Sequence, residues 1–234
     1  EYAKKFDCIK SVEIEYHLEN KEEIKKVIGF ASCVVIAEDW VLTAAHISHE
    51  AKNIYIKHET ENRLQKKYLV DEMIIHKDFV MDGKSINGNT CDIALCHVAN
   101  NPNFQSGVEL VDIDAEVLNK LVAICGFGVT GDFNTGAKIY DGKKRAGSNV
   151  TESIVNDIIL FGSEKNEKPT VVEMLVATGD SGGGVFLDGK LLGIISFIAS
   201  SDSTRSDYGD SSGFVDIRKH KRWIHDTLIS ASKK

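Results

Sequence analysis

Apolar residues along this chain recur in short runs rich in β-branched side chains, separated by glycine, asparagine and aspartate. SVEIEY (11–16), SCVVI (32–36), NIYIK (53–57), CDIALCHV (91–98), LVAICGFG (121–128), VVEMLVA (171–177) and GFVDI (213–217) each read as a strand. Residues 184–198 read as a hairpin turning at Asp188-Gly189, because that dipeptide suits the left-handed backbone of a two-residue turn. Helical spacing is convincing only after Ile217, where Trp223, Ile224, Thr227, Leu228 and Ala231 share a face. Many short strands and one closing helix predict an all-β sandwich or barrel, not a βαβ fold. The polar stretch ANNPNFQSG (99–107) is the visible connector, and no internal repeat or low-complexity segment accompanies it.

Composition narrows the function classes. The chain has 234 residues and a net charge of −7, so neither nucleic acid nor an anionic membrane is expected as a partner. No apolar run reaches the ~20 residues of a membrane span. RKHKRW (218–223) reads as the solvated face of the terminal helix. The five cysteines (Cys8, Cys33, Cys91, Cys96 and Cys125) are odd in number and no pair has zinc-type spacing. Buried free thiols are expected, with no metal site and no cofactor. Unpaired cysteines suit a reducing compartment, or a secreted fold that needs no bridges. Asn149-Val150-Thr151 is a glycosylation sequon, relevant only on a eukaryotic secretory route.

Three islands carry the chemistry. WVLTAAHIS places His46 after two alanines, CDIALCHV puts Asp92 at the entrance of an apolar strand, and TGDSGGG carries Ser181. Serine is a weak nucleophile at neutral pH and needs an adjacent base. Histidine supplies one when a buried carboxylate fixes its tautomer and stabilises its cation. The glycines around Ser181 leave the amides of Gly179 and Ser181 uncovered, as an oxyanion hole requires. Each island alone has a bland reading as packing, cap or turn; their conjunction is what points to nucleophilic catalysis.

TAAH, DIAL and GDSGG resemble, in order, the three signature blocks of the trypsin/chymotrypsin-like serine protease family. Trp40 before His46, GFG (126–128), GIISF (193–197) and Trp223 extend the likeness along most of the chain. The resemblance implies two six-stranded antiparallel β-barrels with a C-terminal helix and the site in the cleft between them. One barrel would span 1–105 with His46 and Asp92, the other 106–234 with Ser181. By resemblance, His46 is the general base, Asp92 its orienter and Ser181 the nucleophile. Gly179 and Ser181 form the oxyanion hole, and Ser196, Phe197 and Ile198 pair with an extended substrate backbone. The implied substrate is a protein or peptide, and secretion follows from the family. The oligomeric state is not readable.

Departures from the family pattern matter. The usual loop cysteines are replaced by Ala31, Ile47 and Ala177. An activating Ile-Val-Gly-Gly terminus is missing, which leaves Asp180 in want of a cation; Arg145, in GKKRAG, is the expected internal replacement. Leu175 stands at the implied pocket floor, Ile198 narrows one wall and Ser212 faces it, so small or medium aliphatic side chains are expected there. Asp207 or Asp210, in a long loop, would reverse that if either reached the pocket. The leading expectation is a serine endopeptidase working through an acyl-enzyme. The rivals are a latent protease-like binding protein and an esterase.

Overall fold

A computed structural model of the chain describes residues 1–19, 24–59, 65–81, 89–100, 102–104, 107–164 and 170–232. The boundary expected between residues 105 and 106 lies outside the described residues. The first half closes into a six-stranded barrel. Around it run β1 (Ile9–Glu19), β2 (Ile24–Val35), β3 (Trp40–Thr43), β8 (Ala94–Val98), β5 (Gln65–Ile75) and β4 (Ala51–Glu59), with β4 returning to β1. Alternation in β1 drives this closure: Val12 and Ile14 enter the barrel core, while Glu13 and Glu15 face the other way. Both glutamates are nonetheless covered, Glu13 beneath Lys67 (2.7 Å) and Glu15 beneath Lys26 (2.7 Å). Strand β5 is rich in lysine and acid, and its apolar pattern is too weak to mark it in the sequence. A short ladder joins β6 (Val80–Met81) to β7 (Asn89–Thr90) just ahead of Asp92.

The second half is a seven-stranded antiparallel sheet. Its order is β12 (Arg145–Val150), β9 (Leu121–Gly126), β15 (Gly184–Leu187), β16 (Lys190–Ala199), β17 (Ser211–Asp216), β14 (Ile158–Gly162) and β13 (Ser153–Val155). A small hairpin, β10 (Thr130–Asp132) with β11 (Gly136–Ile139), stands apart. The sheet curls until the Asn149 side-chain amide of β12 donates to the carbonyls of Gly162 (2.9 Å) and Met174 (3.2 Å). Asn149 is thereby buried, and the sequon is spent on tertiary structure rather than offered to solvent. The predicted hairpin is present: Leu187 pairs with Lys190 around Asp188 (φ 50°) and Gly189 (φ 81°).

The expected strand VVEMLVA does not join a ladder. Its contacts run through one bridge, Ser148 to Glu173, and the Val176 amide goes instead to the Ser212 hydroxyl (3.0 Å). Helix α1 (Ile217–Ala231) starts where helical spacing begins, with the Asp216 carboxylate accepting from the Arg218 amide. The two halves share an apolar core. Ile9, Val34, Trp40, Leu42 and Leu95 of the first pack with Phe186, Leu191, Ile194, Val215 and Ile224 of the second. All five cysteines are free. Ala31, Ile47 and Ala177, at the positions of the absent bridges, are buried and fill the space with apolar side chains.

Candidate active site

The chain turn after β3 makes one 3-10 turn, Ala45–Ser48, which aims His46 at the mouth between the two halves. Asp92 holds it twice. The His46 amide donates to Oδ1 (2.8 Å), and the ring Nδ1 lies 2.8 Å from Oδ2. The ring is fixed by its Nδ1, so its Nε2 is left for chemistry. Asp92 is 2% exposed, and a carboxylate so enclosed needs every lone pair answered. Ser196 supplies the remaining donor, its Oγ 2.5 Å from Oδ2. The β16–β17 ladder shows why Ser196 turns inward. Ile195 pairs with Phe214 and Phe197 with Gly213, which leaves Ser196 as the extra residue of a bulge.

Ser181 sits in a turn built by two left-handed glycines, Gly179 (φ 97°) and Gly182 (φ 82°). A Cβ on Gly182 would lie 2.1 Å from Thr43 Oγ1 and 2.2 Å from the Ser32 carbonyl, so only glycine lets the halves approach this closely. Ser32 of β2 clasps the loop from the opposite half. Its amide donates to the Ser181 carbonyl (2.8 Å), its hydroxyl donates to the Gly179 carbonyl (3.0 Å), and the same hydroxyl accepts from the Phe127 amide (3.0 Å). Among the described residues, no acceptor in the chain takes the N–H of Gly179 or of Ser181. Nor does a hydrogen bond join Ser181 Oγ to the His46 ring; without substrate such contacts are commonly loose and tighten in the complex.

Asp180 lies buried between those two amides. Its Oδ1 accepts from the Gly128 amide (2.7 Å) and its Oδ2 from the Ala177 amide (2.8 Å). Burial pushes its carboxyl up to about 6, against the pull of the two amides and of Arg145 at longer range. The expected ion pair between Asp180 and Arg145 is not formed. The Arg145 fork grips Asp141 instead, at 2.8 and 2.7 Å, and holds that carboxyl well below the usual range. Asp141 is four residues away and reachable without strain, whereas Asp180 is walled in by backbone. Arg145 and Asp180 still line one cavity of about 440 Å³. A Cβ on Gly128 would stand 2.5 Å from Asp180 Oδ2, so that glycine is what lets the amide reach the acid.

A separate cavity of about 400 Å³ gathers His46, Asp92, Gly179 and Ser181 with Ser196, Phe197 and Ile198. Two residues expected in the specificity pocket are placed elsewhere. Leu175 packs in the core of the second half and borders the Asp180 cavity. Ser212 is fully buried, with its hydroxyl on the Val176 amide. Asp207 and Asp210 do not border the Ser181 cavity either; Asp210 is buried and accepts from the Ser206 amide (2.7 Å). The long loop contributes Arg205 to the cavity, a cation the sequence did not single out. Ser32 and the hydroxyl of Ser196 also escaped the sequence. A small residue opening SCVVI was the only trace of Ser32, and nothing in GIISF marked the bulge that turns Ser196 inward.

The trypsin family model matches residues 12–224. Among solved structures the fold is similar to neuropsin, a serine protease expressed in the limbic system of mouse brain, with a TM-score of 0.69 and 18% identity over 95% of each chain. It is also similar to HL collagenase, with a TM-score of 0.67 and 19% identity over 95% of this chain and 94% of that one. No curated protein matches the sequence.

Proposed function

The chain belongs to the trypsin family of serine proteases, and from that membership we propose that it is an endopeptidase acting through an acyl-enzyme on Ser181. The observation that carries the proposal is the doubly anchored His46–Asp92 pair facing the same cavity as Ser181. As the Ser181 oxygen attacks a substrate carbonyl, His46 Nε2 takes its proton, and Asp92 stabilises the resulting imidazolium. Negative charge gathers on the carbonyl oxygen, where the Gly179 and Ser181 amides supply donors that spend nothing on the protein itself. His46 then returns the proton to the departing amine, leaving the acyl group on Ser181. Water, deprotonated by the same ring, releases it.

The unspent amides favour this reading over a latent binding protein. The cavity wall supports a side-chain preference. Val176, Ala177, Ile195 and Ile198 make it apolar, and Arg205 opposes a cationic side chain. Small or medium aliphatic residues are the proposed preference, and an extended substrate strand would lie along residues 196–198. A role outside the cell is proposed on family grounds; among the described residues no helix is long and apolar enough to cross a membrane.

The test is labelling by a small fluorophosphonate in wild type, Ser181→Ala and His46→Ala. Stoichiometric labelling in wild type, absent in Ser181→Ala and strongly slowed in His46→Ala, is the expected result. A folded wild type that takes no label would overturn the proposal.

A further inference from the structure

Next to Asp92 in the chain, and outside the Ser181 cavity, lies a cluster that the proposed reaction does not use. His76 follows β5, Cys91 immediately precedes Asp92, and His220 sits in the early part of α1. One ring nitrogen from each histidine and the Cys91 sulfur all lie within 4.8 Å of one another. Among the described residues none of the three side chains is hydrogen-bonded to another. The two rings meet edge to face, with centroids 5.0 Å apart, and Trp223 covers His76 at the same separation.

The surrounding backbone already holds these groups in place. The His76 amide donates to the Ile93 carbonyl (3.1 Å), which ties it to the Asp92 segment. Asp157, in the turn between β13 and β14, stands behind the other two. Its Oδ2 accepts from the Cys91 amide (2.9 Å) and lies 3.0 Å from His220 Nε2. A carboxylate fixing one imidazole beside a second imidazole and a thiol is the arrangement that orients histidines toward a metal ion. Cys91 is held at φ 53°, a left-handed conformation unusual for a non-glycine residue, and it presents the sulfur at this point.

We propose that His76, Cys91 and His220 form a binding site for a divalent transition-metal ion of the zinc type, with Asp157 as the orienting carboxylate. Two imidazoles and a thiolate select borderline-soft ions over calcium or magnesium, and water would take the fourth position of a tetrahedron. The three ligand atoms now lie within 4.8 Å of one another and would draw closer around a bound ion. On binding, the Cys91 sulfur–hydrogen bond breaks, a sulfur–metal bond forms, and one proton goes to solvent. The ion would join the first half, through His76 and Cys91, to the helix that ends the second. It would fix the residue next to Asp92 without touching the nucleophile. The sequence held no sign of the site because its three ligands stand at positions 76, 91 and 220, far outside any short spacing pattern.

The experiment strips the full chain with a chelator, removes the chelator, and titrates Co²⁺ followed by Zn²⁺. One Co²⁺ per chain is expected, with a thiolate-to-cobalt charge-transfer band and tetrahedral visible bands that Zn²⁺ abolishes. Cys91→Ser is expected to lose the charge-transfer band. His76→Gln, a partly exposed position where folding is readily checked by circular dichroism, is expected to weaken binding by more than about tenfold. Zn²⁺ is expected to raise the melting temperature of wild type and not of His76→Gln. A folded wild type without the band at saturating Co²⁺, or a band that persists in Cys91→Ser, would overturn the proposal. Should Cys91→Ser not fold, unchanged affinity in His76→Gln would overturn it alone.

Discussion

The Ser32 amide donates to the carbonyl of Ser181 at 2.8 Å, across the junction of the two halves. The backbone of the proposed nucleophile is thus held by the barrel that carries His46. The Ser32 hydroxyl adds a second bridge, to Gly179 and Phe127. In the proposed mechanism, alignment of His46 and Ser181 therefore depends on a residue that touches no reacting atom.

Ser32→Ala keeps the backbone bond but leaves the Phe127 N–H and the Gly179 carbonyl without their side-chain partner. A buried polar group stranded in this way costs about 1–3 kcal/mol. Denaturant unfolding is expected to show that loss. Steady-state kinetics are expected to show a fall in kcat larger than any change in KM, which a purely structural role would not produce.

Ser196→Ala removes one of the three donors on Asp92. Hydrogen bonds to a charged group contribute about 1.5–3 kcal/mol. Fluorophosphonate labelling of Ser181 is expected to slow by about tenfold or more, while the cavity still binds substrate backbone. Ser196→Thr, which retains the hydroxyl, is expected to recover part of the rate. Equal rates in wild type and Ser196→Ala would remove Ser196 from the positioning of Asp92.

Asp180 gives the stability of the protein a pH dependence of defined sign. Burial pushes its folded carboxyl up to about 6, against 3.8 for a free aspartate, so the folded state holds the extra proton between those values. The contribution is fully present below about pH 4, is lost as the pH rises to about 6, and then stays level. The loss amounts to about 3 kcal/mol at most. Denaturant titrations at steps from pH 4 to pH 7 check this by comparison of wild type with Asp180→Asn. The difference between the two is expected to vary over that window and to be flat above it.

Arg205 reaches the Ser181 cavity from an exposed loop. Reversing its charge in Arg205→Glu is expected to raise cleavage after lysine and arginine relative to aliphatic residues. At an exposed site, screening limits the change to roughly 1 kcal/mol, a severalfold shift. Profiling with a peptide library reads it directly. An unchanged profile would leave selectivity to the apolar wall.

Legibility in the sequence followed the range over which each residue acts. His46 and Ser181 sit in local turns whose small residues announce them, and Asp92 opens a strand of plain alternation. The hairpin at Asp188-Gly189 and the start of α1 were readable for the same reason. Ser196 was read for its backbone, because nothing local says that a bulge will turn its hydroxyl toward a carboxylate 104 residues earlier. Arg145 was assigned to Asp180 by chemistry alone, and lost to the nearer Asp141 once geometry counted. VVEMLVA has the composition of a strand, but its Met174 amide reaches β12 only through the isolated bridge at Ser148, and its Val176 amide is taken by the Ser212 side chain.

The buried amide of Asn149 has a consequence for how this chain is made. Oligosaccharide transfer acts on nascent, unfolded polypeptide, and here the acceptor nitrogen is the one that later joins β12 to β14. Sugar and fold compete for a single atom. A host that glycosylates during synthesis would divert some chains into a form whose second sheet has lost that tie, and a host without that machinery would not. The choice of expression system is therefore a choice between a mixed and a uniform product, and Asn149→Asp in a glycosylating host would separate the cost of the missing tie from that of the sugar.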